Sequence, residues 1–107
     1  MNQRTIDRSY DNKTLDINVG DKLTIILEEN PTTGYRWKLD QVNEEAMTLE
    51  DSKYSANSES QVGGGGYRTF IFRSVSNGAT KISLSLRREW EKEQSPIDRF
   101  QISVQVG

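Results

Sequence analysis

Three short stretches of this chain carry residues whose types are hard to explain by folding alone. The first is Asn30-Pro31-Thr32-Thr33-Gly34-Tyr35, followed by Trp37. Asn before Pro favours an extended or turn-initiating backbone, Pro31 fixes one φ, and Gly34 permits a positive one. Two threonine hydroxyls are thereby held on a stiff turn, which as an isolated feature also describes a well-made strand connection. The second stretch is Val62, then Gly63, Gly64, Gly65 and Gly66, then Tyr67. A phosphate cradle is the obvious reading of four glycines, and the context excludes it: no Lys-Ser/Thr and no helix follow. What remains is a loose linker, or backbone bare enough to enter a narrow space. The third is the charged run at residues 87–96, which contains Arg88 and Trp90. Such a run is usually a solvated loop. Trp90 is the anomaly, because Trp and Arg are the types most enriched in interface hot spots.

Among 107 residues there is no cysteine and no histidine. That excludes a disulfide framework, a thiolate or imidazole metal site, a thiol nucleophile and a Ser-His-Asp triad. No metal and no cofactor is expected. Glu28-Glu29 and Glu44-Glu45 are adjacent pairs, and neighbours on a strand face opposite ways, so they read as solvating charges and not as acid–base pairs. The chemistry left open is recognition. Fourteen Lys and Arg against 16 Asp and Glu give a net charge of −2, which argues against nucleic acid as partner. No apolar run approaches the roughly 20 residues of a membrane helix. The charged first ten residues lack a signal segment. A cytoplasmic location is expected if the chain is full length, and a secreted, endo-lysosomal or periplasmic one if a signal segment was removed. Asn12-Lys13-Thr14 matches a glycosylation sequon, which has meaning only in a secreted protein of a glycosylating cell.

The elements that must position these stretches follow a period of two. Leu15, Ile17 and Val19 alternate with polar residues, as do Leu23, Ile25 and Leu27, less cleanly at Ile26; Tyr35, Trp37 and Leu39; Ile82, Leu84 and Leu86; and Phe100, Ile102, Val104 and Val106. Each reads as a strand with one wet face and one core face. Residues 67–75 are apolar on both phases, with Phe70 and Phe72 on one and Ile71 and Val75 on the other. That suggests a central strand covered on both sides, or one shifting between layers. Residues 52–66 read as a long loop around a weak strand near Tyr54, and residues 44–47 as one helical turn at most. Asn77-Gly78 is a hairpin signal, Gly20-Asp21 separates two strands, and Asn30-Pro31 and Ser95-Pro96 mark loops. The length allows a single domain, residues 1–107. The fold expected is all-β: an immunoglobulin-like antiparallel β-sandwich, disulfide-free because the Cys-Trp-Cys core is absent. Loops of such a sandwich alternate between its two ends. The second and third stretches flank strands joined by the Asn77-Gly78 hairpin and so emerge together, and the first joins that end if strand parity holds through the weak strands between Gln41 and Gln61.

In this order and spacing, Asn30-Pro31-Thr32-Thr33-Gly34-Tyr35, the glycine cluster and Arg88-x-Trp90 resemble the chagasin family of cysteine-peptidase inhibitors. The resemblance runs from the Leu15 strand to the last strand. It implies a tight-binding, reversible and monomeric inhibitor whose partner is a papain-like cysteine peptidase, with three loops filling the active-site cleft. Gly63, Gly64, Gly65 and Gly66 would insert past the catalytic cysteine, flanked by Val62 and Tyr67. Thr32 and Thr33 would approach the catalytic centre on one side, and Arg88 and Trp90 would pack on the other. The family usually has Arg-Pro-Trp where this chain has Arg88-Glu89-Trp90. Losing that proline costs up to about 1 kcal/mol of preorganisation, and Glu89 puts a carboxylate beside Arg88. The competing reading is a non-inhibitory adhesion or carbohydrate-binding module using the same aromatic edge; an enzyme comes last.

Overall fold

Alternation resolves into two facing sheets. The computed structural model describes residues 2–56, 65–88 and 96–107. Its strands are β1 (Gln3–Ile6), β2 (Thr14–Ile17), β3 (Lys22–Glu29), β4 (Tyr35–Gln41), β5 (Met47–Ala56), β6 (Gly66–Ser74), β7 (Gly78–Arg88) and β8 (Asp98–Val106). The first sheet has the order β1-β3-β6-β5 and the second β2-β8-β7-β4. Leu23, Ile25 and Leu27 of β3 and Phe70 and Phe72 of β6 supply one side of the core. Ile82 and Leu84 of β7, with Phe100, Ile102, Val104 and Val106 of β8, supply the other. Each fully buried side chain of this size contributes about 1.5–3 kcal/mol relative to an exposed one.

The expected antiparallel pairing holds through the centre of both sheets: β3 with β6, β6 with β5, β8 with β7, and β7 with β4. Both N-terminal edge strands instead pair in parallel, β1 with β3 and β2 with β8. The chain starts in one sheet and crosses to the other through a 3-10 turn, Arg8–Tyr10, where the Asp7 carboxylate accepts from Ser9 N at 2.9 Å. β1 has no apolar alternation to announce it. Its sequence is Gln-Arg-Thr-Ile, and Ile6 alone is buried.

Several expectations are corrected. β6 has one core face: Phe70 and Phe72 are buried, Ile71 is half-buried and Val75 is 43% exposed. The second apolar phase lies on the outer side of the sheet. The weak strand expected near Tyr54 is present, but residues 52–56 belong to β5 and not to a long loop, because β6 offers its whole edge and pairing continues to Ala56 opposite Gly66. Val19 lies beyond β2 and is exposed. The single turn expected at residues 44–47 is present, with Ala46 N and Met47 N both donating to Asn43 O at 3.0 Å. That turn delivers Ala46 and Met47 to the core.

Candidate functional site

The register places three connections at one end of the sandwich. Glu29, the last residue of β3, pairs with Gly66, the first of β6, which also pairs with Ala56, the last of β5. Tyr35, the first residue of β4, pairs with Arg88, the last of β7. The connections β3–β4, β5–β6 and β7–β8 therefore leave from neighbouring strand ends. Between them lies an open cleft of about 680 Å³, lined by residues of all three, including Asn30, Thr33, Tyr35, Gly65, Gly66, Tyr67, Arg88 and Ile97. Strand parity does bring the first connection to the end shared by the other two.

The first connection is ordered by its own side chains. The Asn30 carboxamide oxygen accepts from Thr32 N at 3.1 Å and from the Thr32 hydroxyl at 2.7 Å. The Asn30 carbonyl accepts from the Thr33 hydroxyl at 2.7 Å and from Thr33 N at 3.2 Å. These bonds set a 3-10 turn over Pro31–Thr33. They are the local side chain-to-backbone bonds that Asn and Thr offer in place of a ladder. Gly34 then turns the chain into β4 at φ 82°, where a Cβ would be strained. Thr32 and Thr33 are exposed on this frame, and Tyr35 is half-buried.

Beneath the turn sits a pair absent from the expected site. Glu29 is 3% exposed. Its carboxylate accepts from Trp37 N at 2.7 Å and from Arg68 Nη2 at 2.8 Å and Nε at 3.2 Å. The Trp37 indole N–H donates to Glu28 O at 2.8 Å. One carboxylate thus ties β3 to β6 and to β4 of the opposite sheet, directly below Asn30. The signal was in the alternation. Glu29 continues the core phase of Leu23, Ile25 and Leu27, and Arg68 continues that of Phe70 and Phe72, so two opposite charges stand at neighbouring core-phase positions.

The glycines divide into two kinds. A Cβ on Gly66 would overlap Ser55 O and lie 2.5 Å from Tyr54 Oη and 2.8 Å from Ala56 Cα. Gly66 is buried in the ladder, and its lack of a side chain serves the fold. A Cβ on Gly65 would meet Glu29 O at 3.4 Å and Asn30 Cβ at 3.7 Å, ordinary contact. Gly65 therefore lies against the first connection without being required there by packing. Tyr67 is 41% exposed beside it. Val62, Gly63 and Gly64 lie outside the described residues, as does Trp90.

Arg88 packs its guanidinium over the Tyr35 ring, 4.5 Å from the centroid, and its Nε donates to Thr33 O at 3.4 Å. This couples the third connection to the first. Ile97, 58% exposed, was not foreseen as part of the site. It is held by its N–H on Leu86 O at 3.0 Å. Next to it, Asp98 forms a two-pronged ion pair with Arg8 at 2.5 and 2.6 Å. Hydrogen bonding from Arg8 holds the Asp98 carboxyl below its ordinary range. Among the described residues, no three acidic side chains gather to hold a metal. Among the described residues, the end of the sandwich therefore offers hydroxyls, bare backbone, an aromatic–guanidinium stack and an apolar side chain, groups suited to binding.

Comparison with known proteins finds relatives over most of the chain. The family model described as chagasin family peptidase inhibitor I42 matches residues 16–104. Amoebiasin-2 of Entamoeba histolytica is 30% identical over 97 residues, covering 90% of this chain and 79% of the relative. Chagasin of Trypanosoma cruzi is 28% identical over 107 residues, covering 95% and 96%. The crystal structure of a cysteine protease inhibitor from Entamoeba histolytica superposes with a TM-score of 0.89 at 27% identity, over 99% of this chain and 96% of that one. With most of its length matched and its fold shared, this chain belongs to the chagasin family of peptidase inhibitors.

Proposed function

We propose that the protein is a tight-binding, reversible inhibitor of papain-like cysteine peptidases, and that residues 1–107 act as one inhibitor domain with no catalytic activity of its own. The observation that carries this reading is the meeting of the three connections on one cleft, in a chain of this family. The glycine connection enters the enzyme's active-site cleft, where bare backbone fits beside the nucleophile and its N–H and C=O groups pair with the cleft walls. Asn30, Pro31 and Gly34 hold Thr32 and Thr33 in place before binding, which reduces the ordering entropy lost on association. Tyr35, stacked under Arg88, braces the opposite side, and Trp90 adds buried aromatic area with few rotatable bonds. Inhibition needs no reacting group on this chain. It requires only that the cleft be filled by backbone that is not aligned for cleavage.

The test is titration of a papain-like peptidase with the protein while residual activity is followed. Stoichiometric loss of activity is expected at sub-micromolar concentration, and full activity at micromolar inhibitor rejects the reading. Within it, Trp90→Ala is expected to weaken binding by about 2 kcal/mol, as hot-spot aromatics do. An unchanged affinity removes Trp90 from the contact.

A further inference from the structure

The outer face of the second sheet carries a charge pattern that cleft filling does not use. On β4, β7 and β8 the core phase is taken by Trp37, Leu84 and Phe100, all buried. The opposite phase holds Arg36 and Lys38 on β4, Ser85 and Arg87 on β7, and Arg99 on β8. The register sets Arg36 directly across from Arg87, and Lys38 across from Ser85, which is across from Arg99. Cations from three strands therefore crowd two adjacent cross-strand rows, in a chain whose net charge is −2. Arg87 Nε donates to the buried Ser85 hydroxyl at 2.8 Å, which lays the guanidinium across the middle of the patch.

Packing gives no reason for this arrangement. Like charges directly opposite on a sheet destabilise it, and a local conflict of this kind points to use elsewhere. Among the described residues, acidic residues of the same strands do not offset the three arginines. Asp98 is on the core phase and engaged by Arg8, and Asp40 is exposed at the bulge further along β4. Arg36, Arg87 and Arg99 have no ion-pair partner among the described residues. The patch begins one residue from the cleft, since Tyr35 and Arg88 line the cleft while Arg36 and Arg87 open the outer face.

We propose that this face is a second contact surface, fitted to an acidic area beside the active-site cleft of the target peptidase on the Arg88 side. The proposal rests on the inhibitor reading and narrows the class of partner to peptidases with an acidic rim. Guanidinium groups suit it, because they engage carboxylates with two parallel hydrogen bonds and are weakly hydrated. Charges at the rim of an interface act on the association rate and its salt dependence more than on the lifetime of the complex. A sulfated polysaccharide is the other occupant such charges fit. Continuity with the cleft, and the shortness of the patch along the strands, favour the peptidase.

The experiment measures association and dissociation rates of the wild-type chain and of the triple variant Arg36→Gln/Arg87→Gln/Arg99→Gln at low and high salt. Two papain-like peptidases are used, one with an acidic and one with a basic surface beside its cleft. Association of the variant with the acidic-rimmed enzyme is expected to be slower by about tenfold at low salt, with a flattened salt dependence. The dissociation rate should change little, and the basic-rimmed enzyme should show no loss. The melting temperature of the variant should not fall; if it does, Arg99→Gln alone, at an exposed position, must show the same slowing in smaller measure. Equal association rates and salt dependence for wild type and variant, with inhibition intact, overturn this proposal alone. So does loss of heparin binding in the variant with peptidase kinetics unchanged. Failure of the wild-type chain to inhibit either enzyme overturns the inhibitor reading and this proposal with it.

Discussion

A carboxylate with no exposed side-chain surface is tolerable at Glu29 because every approach to it is a donor. Arg68 meets it with two nitrogens and Trp37 with its backbone N–H. Removing one charge of a buried pair leaves the other uncompensated, at a cost of a few kcal/mol. Glu29→Gln is therefore expected to destabilise the fold by about 3 kcal/mol, read as a fall in the denaturation midpoint. A loss under about 1 kcal/mol contradicts the burial of the pair. The glycines make a second residue-scale contrast. Gly66→Ala forces the β5 backbone aside and should cost about 1–3 kcal/mol of stability. Gly65→Ala has room and should leave the melting temperature nearly unchanged, so any effect it has appears in inhibition. Equal melting temperatures for the two variants would contradict the close approach of β5 to Gly66.

Elements depend on how the N-terminal segment is pinned. β1 and β2 each add to a sheet edge in parallel, and the turn between them is fastened to β8 by the Arg8–Asp98 pair. Both side chains of that pair are partly solvated, 49% and 38% exposed. Its worth is accordingly below about 1 kcal/mol, as for exposed ion pairs generally. The sign follows from the direction of the shift. The folded-state pKa of Asp98 is depressed, chiefly by the Arg8 hydrogen bond, so the unfolded chain binds the proton more tightly. The contribution is fully present above the unfolded value of about 4 and is lost as pH falls through the lower folded value. Denaturation midpoints of wild type and Asp98→Asn should differ by a constant amount from pH 5 to 7 and converge toward pH 2. A difference that persists undiminished at pH 2 assigns the effect to packing. The first connection is ordered chiefly from within, by the bonds among Asn30, Thr32 and Thr33, with Arg88 of β7 bracing it from outside.

At the scale of the whole molecule, the absence of histidine leaves no side chain of ordinary pKa near 6.5. Among the described residues, the carboxylates that are shifted, Asp7, Asp21, Glu50 and Asp98, are all shifted downward by hydrogen bonds, away from that window. Affinity between pH 5.5 and 7.5 is therefore expected to follow the titration of the enzyme. Inhibition constants measured against two peptidases whose own profiles differ should break at two different pH values. A common break against both would place the titrating group on the inhibitor.

The sequence alone determined the strands whose apolar residues alternate, because a strand with one buried face must show that period. It also determined the loop residues between them, because Asn30, Pro31, Gly34 and the Asn77-Gly78 turn act through their own backbone and nearest neighbours. With the order of those loops came the family. Only the tertiary structure decided what depends on partners distant in sequence. β1 has no pattern of its own and exists as an edge added to β3. β5 extends to Ala56 because β6 lies alongside it. Gly66 is required by β5, whereas Gly65 is not. Glu29 and Arg68, which a reading by residue type assigns to solvent, meet in the interior because Leu27 pairs with Arg68 across the sheet and Trp37 closes over them. The basic face on β4, β7 and β8 likewise appears only when the register sets Arg36 beside Arg87 and brings Arg99 into the next row.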